Sequence, residues 1–140
     1  LTRKAKLHDQ GNFFRLRSIP GVGKVLAMTL LYEIHDIDRF ERVQNFASYA
    51  RLVMCEKSSS GKKLGTGGSK IGNVHLKWAF SEAAVLFLRA NPLAQCYVES
   101  LRNKHGKAKS LSILAHKLGR AVYFMMKRKE TFSMKAFRIA

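Results

Sequence analysis

Apolar residues recur at helical spacing along most of this chain. Val25, Met28, Leu31 and Tyr32 fall at i, i+3, i+6 and i+7, the spacing that places side chains on one face of an α-helix. This pattern predicts a helix over 25–34. Upstream of it, a short apolar stripe ends at Pro20 and consists of Phe13, Phe14, Leu16 and Ile19.

Two longer segments carry wider apolar stripes. The first runs from Val74 to Ala90 after Asn73, a suitable N-cap residue, and its stripe comprises Leu76, Phe80, Ala83, Ala84, Phe87 and Leu88. Few charges lie on its other face, so this helix is expected to be central. The second runs from about Lys109 to Lys127, and its stripe comprises Leu111, Leu114, Ala115, Leu118, Val122 and Met125.

Two shorter helices complete the pattern. Asn45 is a suitable N-cap for a helix over 46–53, and Pro92 fits the first turn of a helix that ends near Asn103. The polar–apolar alternation typical of strands is almost absent. The sequence therefore predicts an all-α domain, with a helix-hairpin-helix-like element and a long Ser/Gly/Lys loop between helices.

That loop is the most polar part of the chain. Residues 57–73 hold five Ser/Thr hydroxyls, five glycines and four lysines. Such a segment cannot build a core, but its hydroxyls, backbone N–H groups and charges suit a phosphate backbone. Because helical segments flank it, we expect a long loop on a rigid scaffold, where functional residues concentrate.

The charge balance narrows the partners. The 140 residues include 26 Lys and Arg against 9 Asp and Glu, a formal net charge of +17. A field of this sign concentrates polyanions, and nucleic acid is the favoured one. A basic membrane-surface protein is a weaker alternative, and no apolar run reaches the roughly 18 residues of a spanning helix.

Two further features concern the redox environment of the protein and the length of the chain. Cys55 and Cys96 are too few for a disulfide framework or a zinc site, which favours reduced thiols in a cytoplasmic, nucleoid-associated protein. The chain begins at Leu1 rather than Met, so we expect it to be part of a longer protein.

A turn between the first two apolar stripes is a candidate phosphate-binding hairpin. It runs from Ser18 to Lys24 and contains Gly21 and Gly23. Glycines let the backbone turn tightly and approach a phosphate, toward which the N–H groups of the next helix then point. Lys24 adds charge. The alternative is a corner that only packs against the rest of the fold.

The serine loop has two interpretations. A hydroxyl attacks a phosphodiester once it is deprotonated and the developing charge is stabilised, and Lys57, Lys62, Lys63 and Lys70 could supply that stabilisation. From composition alone, a polar loop that contacts phosphates without chemistry is favoured. The C-terminal part adds basic residues with almost no compensating acid after Glu99, which favours a phosphate-facing surface that includes Lys107, Lys109, Lys117 and Arg120.

Metal chemistry has little support in the sequence. The nine carboxylates are scattered, and Asp36 and Asp38 form the one close pair, in a plausible capping turn. The five histidines show no ligand spacing. We therefore predict no metal site and no cofactor in this chain.

Five motifs in order resemble one protein family. They are Leu16–Gly23, Phe46–Ala50, Ser58–Lys62, Ser69–Asn73 and Leu76–Ala79. Together they are similar to the C-terminal domain of the insertion-sequence 110/116/902 transposases, which include the Piv-type DNA invertases. The resemblance covers about residues 13–130. It leaves residues 1–12 as the end of a linker or coiled-coil helix and residues 131–140 as a tail.

The resemblance implies a serine-dependent DNA recombinase. In such a protein a separate N-terminal acidic domain holds magnesium, a serine of the loop becomes attached to DNA across a dimer or higher oligomer, and a structured RNA guides the reaction. Carried over without a gap, the nucleophile falls on Ser59; aligned backwards from the Ser69 motif, it falls on Ser58. Lys62, Ser69, Lys70 and Gly72 would be its loop partners.

Two departures from the family pattern stand near that serine. Arg51-Leu52-Val53-Met54 replaces the usual Gly-Leu-x-Pro, and Lys57 replaces an aromatic residue. We expect the isolated chain to bind nucleic acid without cutting it, because clustered carboxylates are missing. The alternative function is a non-catalytic helix-hairpin-helix module that binds DNA or RNA.

Overall fold

The computed structural model describes residues 9–53 and 72–137, together with the backbone of Ser58, Ser59, Lys62 and Lys63. These parts are helical apart from two strands of two residues each, which confirms the all-α class. The elements are α1 (Gln10–Arg17), α2 (Lys24–Ile34), a 3-10 turn (Ile37–Arg39), α3 (Val43–Tyr49), β1 (Ser58–Ser59), β2 (Lys62–Lys63), α4 (Val74–Ala90), α5 (Pro92–His105), α6 (Lys107–Arg128) and α7 (Met134–Phe137).

Helix α4 is the centre of the core, as its apolar stripe predicts. It packs against α2, α5 and α6, and Leu76, Phe80 and Phe87 on its inner face are fully buried. Burial of this many apolar side chains is the main source of the fold's stability. The predicted start of the helix is confirmed, since the Asn73 side chain accepts hydrogen bonds from the backbone N–H groups of His75 and Leu76.

Aromatic contacts join α3, α4 and α6 within the core. The ring of Phe46 on α3 meets that of Phe80 edge-on, with centroids 6.0 Å apart, and stacks on Tyr123 of α6 at 5.8 Å. The buried Tyr123 hydroxyl donates to the carbonyl oxygen of Phe40 at 2.9 Å. The phenol therefore contributes both packed area and a satisfied polar group.

The bounds of α3 correct one prediction. The helix begins at Val43, with Arg42 in the N-cap position, so Asn45 lies inside it rather than capping it. Val43 is buried, and packing of this side chain favours the earlier start over the better cap. The helix ends at Tyr49, short of the predicted 53.

A Schellman motif causes that early end. Arg51 adopts a left-handed conformation with φ 58°. The N–H of Leu52 bonds to the carbonyl oxygen of Ala47 at 2.9 Å, and that of Arg51 to Ser48 at 3.1 Å. Leu52 then packs against the core, where its Cδ1 fills the space that a Cβ at Gly119 would need.

The last described residues also pack on the core. The rings of Phe132 and Phe137 lie 5.7 and 5.2 Å from that of Phe87, centroid to centroid. The N–H of Phe132 donates to Oγ of Ser18 at 2.8 Å. Residues 132–137 therefore hold the turn after α1 against the end of α4.

Candidate nucleic-acid interface

The candidate nucleophile lies on a short antiparallel ladder. Ser59 pairs with Lys62, and Ser58 pairs with Lys63. The register therefore brings each of the two candidate serines opposite a lysine at the level of the backbone. Ser69 and Lys70, the other predicted loop residues, lie outside the described residues, so their role stays a prediction.

The described residues on either side of the segment 53–71, called the arm below, lie against each other. The backbone N–H of Asn73 donates to the carbonyl oxygen of Tyr49 at 2.7 Å. This bond joins the end of α3 to the start of α4. We call the four residues around it, Tyr49, Arg51, Gly72 and Asn73, the neck.

The side chain of Asn73 ties the neck together. Its Oδ1 caps α4, while its Nδ2 donates to Oε2 of Glu33 at 2.7 Å and to the Tyr49 hydroxyl oxygen at 3.3 Å. One amide therefore links α2, α3 and α4. The sequence predicted the cap only.

Arg39 supports the neck from the other side. Its Nε and Nη2 donate to the carbonyl oxygens of Ile34 and Glu33, each at 3.1 Å, and its guanidinium lies 4.7 Å from the centre of the Tyr49 ring. Hydrogen bonding to Asn73, and next to Arg39, holds the pKa of the Tyr49 phenol below its ordinary value. Nothing in the sequence pattern indicated Glu33, Arg39 or Tyr49 as a group.

Gly72 is required at the neck by its geometry. Its φ is +117°, and an added Cβ would lie 2.7 Å from both the Tyr49 carbonyl oxygen and Cγ of Arg51. Only a glycine allows the returning chain to approach this closely. The Arg51 stem covers this backbone, although Arg51 itself takes a left-handed conformation that favours glycine.

The predicted hairpin divides into a packed part and an open part. Gly21 has φ +88°, and a Cβ there would lie 2.6 Å from the carbonyl carbon and oxygen of Leu86. Packing against α4 therefore explains this glycine. Gly23 and Lys24 are exposed, and α2 has no side-chain cap, so phosphate binding at this turn stays a prediction.

The four basic residues predicted on the C-terminal helices do not share one environment. Lys107, Lys109 and Arg120 are exposed. Lys117 is half-buried, with Nζ 5.3 Å from the centre of the Phe137 ring. Burial, and then the charge of Arg120, lowers the pKa of its ammonium. Lys117 therefore has a packing role besides any contact with phosphate.

The described part of the chain offers no metal-binding cluster. No three His, Cys, Asp or Glu side chains within it lie close enough to hold an ion. The residues that the structure describes therefore do not fit a magnesium site. Cys96 is a free, exposed thiol, and Cys55 lies outside the described residues.

One further property concerns membranes. Among the residues that the structure describes, no helix combines the length and the apolar character needed to cross a bilayer.

Comparison with known proteins shows which family the chain belongs to. Residues 14–99 match the model of the transposase IS116/IS110/IS902 family. The chain belongs to this transposase family. The match includes the neck, the arm, and α2 to α4, and it therefore confirms the resemblance that the five motifs indicated.

Two curated relatives agree with this family. The transposase for insertion sequence element IS1111A of Coxiella burnetii is 29% identical over 122 residues, which cover 84% of this chain and 34% of the relative. The insertion element IS110 uncharacterized 43.6 kDa protein of Streptomyces coelicolor is 34% identical over 118 residues, which cover 84% of this chain and 29% of the relative. The chain thus spans about a third of the length of these relatives.

Proposed function

We propose that this chain is the nucleic-acid-binding, serine-carrying part of a DNA transposase. The observation that carries the proposal is the arm itself: Ser59 is paired with Lys62, and both ends of the arm meet at one hydrogen-bonded neck. A neck of this kind holds a polar segment on a rigid helical core, which suits a group that must reach a separate substrate.

The proposed chemistry is a transesterification. The Ser59 oxygen attacks a DNA phosphorus, an O–P bond forms to serine, and the P–O bond to one sugar oxygen breaks. The serine proton leaves and the departing sugar oxygen gains a proton, so no oxidant or reductant is needed. Lys62 and Lys63 would stabilise the charge that develops on the phosphoryl oxygens.

DNA binding in this proposal is mainly electrostatic. The exposed Lys24, Lys107, Lys109 and Arg120 neutralise phosphates together with the lysines of the arm. Binding of this kind releases counterions, so the affinity should fall steeply with salt. Salt-insensitive binding would instead indicate an apolar partner.

The remaining expectations belong to the longer protein. Magnesium would be held by acids outside this chain. A guide RNA, a dimer or higher oligomer and a cytoplasmic, nucleoid-associated location are part of the same proposal.

Trapping a covalent adduct tests the nucleophile. In a transposase that carries this chain, labelled element-end DNA should become attached to protein and stay attached in denaturing gels. Ser59→Ala should abolish the adduct and leave DNA affinity unchanged, while the matched Ser58→Ala retains it. The reverse result selects Ser58, and an adduct that survives both changes refutes the nucleophile assignment.

A non-catalytic binding module is the second candidate. The observation behind it is the set of exposed basic residues, Lys24, Lys107, Lys109 and Arg120, which can bind phosphates without any chemistry. The isolated chain, incubated with magnesium and element-end DNA, should bind without cleaving. Strand cleavage by the isolated chain would contradict both candidate functions, because neither assigns cleavage to this chain alone.

A further inference from the structure

Helix α4 carries two exposed apolar side chains near its start, on the side opposite to its buried stripe. Leu76 and Phe80 point into the core and are fully buried. Trp78 lies two positions from each of them, which at about 100° per residue turns it about 160–200° away from the core. Trp78 and Val74, one turn apart on this outer face, are 51% and 54% exposed.

The exposure of Trp78 has no structural explanation within the described fold. Tryptophan is highly buried on average. The core beneath α4 is complete without this ring, since Leu76, Ala79 and Phe80 fill the adjacent positions with no exposed area. Val74 and Trp78 therefore form an exposed apolar pair that the described core does not use.

The side chains around Trp78 and the charge of the chain bear on the kind of partner that this face can bind. Lys77 directly precedes Trp78 and is exposed, and the first turn of α4 holds no acid. The positive end of the helix dipole lies at this end of α4. Two acids lie near this end of α4: Glu33, whose carboxylate accepts a hydrogen bond from Nδ2 of Asn73 at 2.7 Å, and Glu82, one turn after Trp78. The chain as a whole is basic, with a net charge of +17, and the arm, which directly precedes Gly72 in the sequence, holds four lysines.

We propose that Trp78, supported by Val74, is a stacking platform for an unpaired base of single-stranded nucleic acid. Base–aromatic stacking requires a base outside a duplex and tolerates any base, because every base has a π-face. The ring supplies the π-face and Lys77 the neighbouring charge for phosphate. The inference rests on the nucleic-acid partner of the proposed function but not on Ser59.

Fluorescence gives a direct test, because Trp78 is the one tryptophan of the chain. The 140-residue protein is titrated with oligodeoxythymidylate, with oligouridylate and with a blunt duplex of equal length. Stacking should quench the emission with the single strands and protect the ring from acrylamide, whereas the duplex should quench far less. The two single strands distinguish DNA from RNA as the source of the base.

Variants separate stacking from charge. Binding of labelled oligonucleotides, followed by anisotropy, should weaken about tenfold for single strands in Trp78→Ala, and duplex binding should stay within about twofold. Trp78→Phe should retain most of the affinity, because it keeps an aromatic face. Phe14→Ala is the matched control, since Phe14 is also an exposed aromatic residue, at 67%, but lies on α1.

Three results would overturn the inference. The first is single-strand binding without quenching, and the second is an equal loss of affinity in Trp78→Ala and Phe14→Ala. The third is a change of the mass in solution in Trp78→Ala with unaltered oligonucleotide affinity, which would make this face a protein contact. A protein that binds neither single strands nor duplex would refute the proposed function as well, whereas failure of stacking alone leaves the Ser59 adduct test unaffected.

Discussion

The side-chain amide of Asn73 donates to the carboxylate of Glu33 at 2.7 Å, across 40 positions of sequence. The same side chain caps α4 through its oxygen. A single residue thus fixes where α4 begins and where the arm returns to the core. Tyr49 and Asn73, which lie on either side of the arm in the sequence, therefore belong to one hydrogen-bonded group.

Asn73→Ala should lower the free energy of unfolding more than loss of an N-cap alone. The cap is worth about 1 kcal/mol, and the bond to the Glu33 carboxylate adds about 1.5 kcal/mol or more. Asn91→Ala is the comparison, because Asn91 caps α5 in the same way, while its amide donates to Sδ of Met134 rather than to a carboxylate. Urea denaturation measures both, and equal losses would mean that the Glu33 bond contributes no more than the Met134 contact does.

Gly21→Ala should destabilise the protein strongly. A Cβ there would lie 2.6 Å from the Leu86 carbonyl, and φ is +88°, so the loss should be about 2 kcal/mol or more. Gly23→Ala adds a Cβ into open space and should cost less than about 1 kcal/mol. Thermal unfolding distinguishes them; a neutral Gly21→Ala would show that the turn can move away from α4.

Arg51→Gly should stabilise the protein by about 0.5–1 kcal/mol, because glycine adopts the left-handed conformation of this position without strain. Lys129→Gly should raise the free energy of unfolding by a similar amount, since Lys129 ends α6 with a left-handed φ of 56°. Arg51→Ala separates strain from charge: it removes the cation but keeps the strain, so it should give no gain. A gain equal to that of Arg51→Gly in chemical denaturation would assign the effect to charge.

Stability should fall in mild acid through His116. Burial, and then the charge of Arg120, holds the pKa of this imidazole below its ordinary value. The unfolded chain therefore takes up a proton at a higher pH than the folded protein does. Stability is then lost as the pH falls through about 6.5 and levels off below the folded-state pKa.

His116→Asn tests this dependence. The variant should lose less stability than the wild type between neutral pH and mild acid, as measured by urea denaturation at several pH values. Parallel curves for the two proteins would assign the acid sensitivity to other groups.

Much of the fold was predictable because its signals are local. Asn73 before an apolar stripe and Pro92 at a helix start act within one turn, and both predictions are confirmed. Asn45 shows the limit of such signals: it is a good cap by type, but burial of Val43 extends α3 past it. The N-cap preference of Asn45, about 1 kcal/mol, is outweighed by the larger free energy gained when an apolar side chain such as Val43 is buried.

The candidate site was less predictable. The motif order indicated the family and directed attention to Ser59, but it gave no sign that Glu33 and Arg39 close the neck. Gly21 illustrates the same gap, because a glycine in a turn is compatible both with a phosphate and with a neighbouring helix. The distance to Leu86 decides that packing alone already requires it.

The sequence by itself determined the helical class, the central place of α4, the basic character and the family, because periodicity, capping and charge are properties of nearby residues or of the whole composition. Only the tertiary structure decided that Asn73 meets Glu33 and that Trp78 faces outward. Those facts depend on which helix faces pack against each other, and that choice is made by the whole core at once.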